Sequence, residues 1–138
     1  MATITARLTL TGTGATSDML GIDKSKSLTV TNPTVQVGTT AVGTTYGATI
    51  SDLDGTANAE DTYVYLYNAS VGSETIHVQT VATATCTESG TATVTQSPLI
   101  KLAKAEFAMI PLEALAKLQF KGSLATAILE YGYWTKGS

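Results

Sequence analysis

Residues 62–68 read Thr-Tyr-Val-Tyr-Leu-Tyr-Asn, and this strict alternation is the pattern of an extended strand. Side chains alternate across a strand, so Tyr63, Tyr65 and Tyr67 share one face while Val64 and Leu66 share the other. A second alternating run, residues 75–79, sets Ile76 and Val78 on one face with His77 opposite. Between the runs, residues 68–73 supply Asn, Ser and Gly, which take turn conformations at little cost. Residues 61–80 therefore read as one β-hairpin, aliphatic on one side and lined by tyrosine on the other. A two-stranded unit is not stable alone in water, so its aliphatic side demands a second sheet.

The remaining chain offers strands to build one. Residues 2–11 place Ile4, Ala6, Leu8 and Leu10 on one face and Thr3, Thr5, Arg7, Thr9 and Thr11 on the other, a half-buried strand. Gly12-Thr13-Gly14 breaks it, and residues 17–26 read as a loop pinned by Met19, Leu20 and Ile22. Residues 27–31 form a second strand that buries Leu28 and Val30 and stops at Asn32-Pro33. A brief strand at 34–38 and a weak one at 41–50, bent at Gly43 and Gly47, precede the polar loop 51–60. Residues 81–94 read as two small-sided edge strands joined at 88–90, poor in buried area and in need of a neighbour. Further strands are expected at 99–102, 106–110, 117–121 and 125–134, with a short helix over 111–118 as the alternative to a turn there. The sum is an all-β domain over residues 1–138, a two-sheet antiparallel sandwich with Greek-key or jelly-roll-like connections.

Composition agrees with that class and bounds the function. Threonine is the commonest residue, and 43% apolar with 14% charged residues describes a folded, weakly charged globule. The net charge of −3 is unevenly spread: residues 27–100 hold six acids and no Lys or Arg, whereas residues 101–138 hold five Lys. An acidic middle without basic residues argues against a nucleic-acid groove, which needs clustered cations. No apolar run approaches the roughly 20 residues of a membrane helix. The first residues alternate and lack the apolar core of a signal peptide, so synthesis and folding in a cytoplasm are expected. Cys86 is the single cysteine, so no internal disulfide is expected.

Few residues invite chemistry. His77, the one histidine, has too few partners for a metal site or a catalytic triad and reads as a surface or interface residue. Asp52, Asp54, Glu60 and Asp61 cluster near Gly55 but miss the spacing of a calcium loop, and read as a plain acidic loop. Asn68-Ala69-Ser70 matches a glycosylation sequon and reads as a turn. No catalytic, cofactor or metal residue is expected. The tyrosine stripe is open to three readings: a sheet face covered by the chain itself, a protein interface, or a sugar platform. Tyr63, Tyr65, Tyr67 and His77 are the candidate interface residues.

The C-terminal wording carries a resemblance. Leu99-Ile100-Lys101-Leu102, then Ala105-Glu106-Phe107-Ala108-Met109-Ile110-Pro111-Leu112 and Ile128-Leu129-Glu130-Tyr131-Gly132-Tyr133-Trp134, together with Tyr63-Val64-Tyr65-Leu66-Tyr67-Asn68, resemble small structural proteins of tailed bacteriophage virions. In that group a strand ending in an asparagine turn precedes a segment of glycine, an acid, an aromatic or aliphatic residue and proline, and later a closing Leu-Glu-Tyr strand. Ala105 stands where glycine is commoner, so the turn before Glu106 is expected to differ. The resemblance implies a non-enzymatic virion component, a head decoration or cement protein that is homo-oligomeric and binds the major capsid protein or another virion protein. A tail or head–tail component is the alternative, and a carbohydrate-binding β-sandwich module is a reading from a different class.

Overall fold

The computed structural model describes residues 2–12, 20–30, 36–47, 49–50, 53, 61–81, 99–114 and 116–135. Among the described residues nine strands follow in chain order: β1 (Ala2–Gly12), β2 (Leu20–Val30), β3 (Gln36–Ala41), β4 (Thr62–Asn68), β5 (Ile76–Val81), β6 (Ile100–Leu102), β7 (Phe107–Leu112), β8 (Lys117–Gly122) and β9 (Ile128–Thr135). The pairings β1–β2, β3–β9, β4–β7, β5–β6 and β5–β8 are all antiparallel. The all-β antiparallel expectation therefore holds. The chain divides into two compact units, one of Met1–Pro33 with Thr135–Ser138 and one of Thr34–Trp134.

The first unit is a long ribbon. β1 and β2 pair over their full length, from Ala2 opposite Val30 to Gly12 opposite Leu20. This corrects the loop expected over 17–26, because strand already begins at Leu20. Gly21, Asp23, Lys24 and Ser25 are weak strand formers, but pairing with a strongly alternating partner imposes the extended form on them. Arg7 adds a two-pronged contact to Asp23, at 2.9 Å through Nε and 2.5 Å through Nη2. Both side chains are solvent-exposed, so this pair adds little stability. The apolar face is only partly buried: Leu28 is covered, while Leu8, Leu10 and Ile22 remain exposed.

The second unit is a sandwich-like pair of sheets, one ordered β3-β9-β4-β7 and the other β6-β5-β8. Their inner faces share one core, with Val64, Leu66, Leu112 and Leu129 from the first meeting Ile76, Val78, Leu102, Leu118 and Phe120 from the second. The central hairpin is thereby overturned, since β4 and β5 lie in different sheets. Period-two alternation fixes which residues point inward but not which sheet a strand joins; Val64 and Leu66 face Ile76 and Val78 across the core instead of sharing one surface. The connections β4–β5, β6–β7, β7–β8 and β8–β9 all cross from one sheet to the other. The chain winds around its core.

Asn68 organises the first of these crossings. Its side chain is buried, with Nδ2 donating to the carbonyls of Glu74 (2.8 Å) and Leu102 (3.0 Å) and Oδ1 accepting from the Ser70 amide (3.1 Å). Ser70 Oγ in turn accepts from the Ile128 amide at 2.9 Å. These bonds fix the turn to the starts and ends of strands in both sheets and leave the Asn68 amide no room for a glycan. Ala105 nearby has φ 61°, a left-handed conformation that glycine adopts without strain and alanine does not.

The weak strand expected at 41–50 is not formed. β3 takes Gln36–Ala41, and beyond it Gly47 bridges to Phe120 while the Gly43 carbonyl accepts from the Gly122 amide at 2.8 Å, both on the edge of β8. Val42 and Ile50 on this segment drop into the core. The helical alternative at 111–118 is likewise absent: Pro111 and Leu112 continue β7, an edge strand where a missing donor costs no ladder bond. The Ala114 amide then donates to Asp61 Oδ1 at 2.9 Å, closing the turn into β8. The expected strands between 82 and 94, Cys86, and the acids Asp52, Asp54 and Glu60 lie outside the described residues.

Candidate functional site

With Val64 and Leu66 fully buried, the alternation of β4 turns Tyr63, Tyr65 and Tyr67 to the outer face of the four-stranded sheet. The register of β7 places Pro111, Met109 and Phe107 directly beside them in that order. On the other flank β9 contributes Glu130 and Trp134, and β3 contributes Val37 opposite Gly132. Gly132 is needed here: a Cβ at that position would stand 3.1 Å from the Trp134 ring and 3.4 Å from Val37. The indole and the valine therefore close over the bare backbone. Phe107 is 65% exposed, Met109 43% and Val37 61%, so both margins of this aromatic face are open to solvent.

One carboxylate sits within the face. Tyr65 Oη donates to Glu130 Oε1 at 3.1 Å, tying β4 to β9 from outside. Partial burial lifts the Tyr65 hydroxyl above the usual tyrosine range, and the bond to Glu130 pushes the same way because the neutral phenol is the donor. The result is a broad, mostly apolar platform with a fixed hydrogen-bonding pair near its middle. Such a surface can bind a partner by burial and shape. Among the described residues no group of three or more His, Cys, Asp and Glu is arranged to hold a metal ion.

His77 does not join the tyrosines. β5 carries it on the outer face of the three-stranded sheet, beyond the shared core, so the candidate interface of Tyr63, Tyr65, Tyr67 and His77 splits into two faces. Its Nε2 lies 3.4 Å from Thr75 Oγ1, and its cross-strand neighbours are Lys101 and Lys121. The split follows directly from the loss of the hairpin.

The sequence reading missed Val37, Phe107, Met109, Pro111, Glu130 and Trp134 as members of the platform. Its signal was present but ambiguous: Phe-Ala-Met-Ile-Pro-Leu is apolar at every position, so β7 shows no alternation from which to choose an outward face. Comparison of the chain with models of known protein families, with curated proteins and with solved structures finds no match in any of the three.

Proposed function

We propose that this chain is a non-enzymatic virion structural protein, a decoration or cement protein that attaches to the head lattice through the outer face of its four-stranded sheet. The observation that carries the reading is the open aromatic platform of Tyr63, Tyr65, Tyr67, Phe107, Met109 and Trp134. Exposed apolar patches rimmed by polar groups mark interaction surfaces, and aromatic residues with methionine are the types enriched at interface centres.

The size of the platform shapes the role. Four strands at about 4.8 Å spacing and some six residues at about 3.3 Å rise give roughly 400 Å². A standard stable interface buries about 800 Å² per partner. A single platform therefore gives a modest contact, suited to a component that gains its hold by engaging several lattice subunits as a homo-oligomer. The major capsid protein is the partner of this reading, and a tail or head–tail protein of the same particle is the alternative. The Tyr65–Glu130 pair beside Trp134 favours a second reading, a carbohydrate platform, since sugars are held by an aromatic ring with an adjacent fixed acceptor.

The test is co-sedimentation with particles that lack the protein, followed by measurement of their rupture temperature. Binding that raises the rupture temperature and is lost in Phe107→Ser and Met109→Ser supports the cement role. A strict monomer that neither sediments with particles nor changes their stability refutes it, and retention on neutral glycans through the same residues would promote the sugar reading.

A further inference from the structure

The outer face of the three-stranded sheet has the opposite chemistry. Register sets Lys101 on β6 and Lys121 on β8 directly across from His77, so one rung reads Lys101–His77–Lys121 across all three strands. The two lysines stand about 10 Å apart at their Cα atoms, two strand spacings. On the next rung Gln79 Nε2 donates to Gln119 Oε1 at 2.9 Å, holding the strands at fixed separation. Among the described residues this face carries no carboxylate: Thr75, Leu99, Lys117, Gln119 and Ser123 lie around the rung, with Gln79 buried beside it.

We infer that this rung is a binding site for an acidic polysaccharide, carboxylated or sulfated. The two ammonium groups match anionic substituents on an extended chain, and the imidazole between them offers a hydrogen bond to a hydroxyl. Two other polyanions fit less well. A protein partner is disfavoured because interface centres are depleted in lysine. Single-stranded nucleic acid needs free aromatic faces for stacking, and the aromatic ring found beside this rung, Tyr46, is taken by the Lys121 Nζ at 5.7 Å from its centroid. The inference is independent of what the four-stranded face binds.

The experiment measures retention of the purified chain on immobilised heparin and on polygalacturonate over a sodium chloride series, with duplex DNA as the competing polyanion. Binding to at least one polysaccharide that falls with salt, and weakens roughly tenfold or more in the Lys101→Glu/Lys121→Glu double variant, is expected from two lost charge contacts. Lys24→Glu/Lys26→Glu, on the ribbon, should bind as the parent does. Unchanged melting temperatures for both double variants show that folding is not the cause. Absence of binding to either polysaccharide, undiminished binding by the Lys101→Glu/Lys121→Glu variant, equal loss in the ribbon variant, or tighter binding to DNA at the same salt would each overturn the inference.

Discussion

Replacing Asn68 by alanine should cost as much stability as removing a large core side chain, although Asn68 is polar and sits in a turn. Its side chain makes three hydrogen bonds, two as donor to the carbonyls of Glu74 and Leu102 and one as acceptor from the Ser70 amide. Asn68 is 1% exposed and Ser70 4%, so the orphaned groups have poor access to water. A buried polar group left without its partner costs about 1–3 kcal/mol; with partial relaxation the three groups together come to roughly 3–5 kcal/mol. That is a large share of the 5–15 kcal/mol typical of a domain. Asn68→Asp separates hydrogen bonding from volume: it keeps the acceptor for Ser70 but turns an oxygen toward the two carbonyls. It should be no more stable than Asn68→Ala. Urea unfolding followed by tryptophan fluorescence gives the midpoints, and an unchanged m-value confirms a stability effect. A loss below about 1 kcal/mol in Asn68→Ala would refute the idea that this residue holds the crossing between sheets.

Three other outcomes follow from the same structure. Ala105→Gly should stabilise the chain by about 0.5–1 kcal/mol, because the left-handed conformation costs alanine about 1–2 kcal/mol and the freer unfolded glycine returns part of that; a destabilised variant in urea melts would contradict it. The hydrogen bond from Thr126 Oγ1, supported by backbone amides, holds the Glu74 carboxyl below its ordinary 4.5. The stability this gives is present above that ordinary value and is lost as the pH falls through the lowered folded value, so Glu74→Gln should narrow the gap in urea midpoint between neutral pH and about pH 3; an unchanged gap counts against it. Leu66→Ala should cost about 2–5 kcal/mol from its buried site, and Tyr65→Ala less in the isolated chain but, if the proposed cement role holds, more in the assembled particle; equal losses in both states would remove the interface reading of the tyrosines.

The elements were more legible in the sequence than their partnerships. β4, β8 and β9 announce themselves by alternation or by β-branched and aromatic content, and their inward residues Val64, Leu66, Leu118, Phe120 and Leu129 form the core. Sheet membership was not legible, because a polar turn such as 68–75 serves a hairpin and an inter-sheet crossing equally well. The difference lies in contacts distant in sequence, such as Asn68 to Leu102 and Ser70 to Ile128. β2 was hidden for a related reason: residues 20–26 are too polar to propose a strand alone, and only β1 as partner makes them one. The tyrosine half of the platform was visible at β4, while the Phe107–Met109–Pro111 half was masked by the uniform apolarity of β7.

The composition of the solvent-facing positions separates what the fold needs from what it does not. In a sandwich every second residue of a strand points away from the core, and those positions are free of packing duty. On β1, a strand of the ribbon and not of the sandwich, the chain sets Thr3, Thr5, Thr9 and Thr11 on one face, all exposed, which satisfy strand preference and water together. On β4 and β7 it fills the equivalent positions with Tyr63, Tyr65, Tyr67, Phe107, Met109 and Pro111. Strand preference accounts for the tyrosines, but it does not account for Met109 or for Pro111, a residue disfavoured in strands. Core packing does not account for Phe107 at 65% exposure. The same chain thus shows that a threonine surface was available to it, yet it places Met109, Pro111 and the exposed Phe107 beside the tyrosines. A partner covering this face, as the proposed function requires, would account for those three residues.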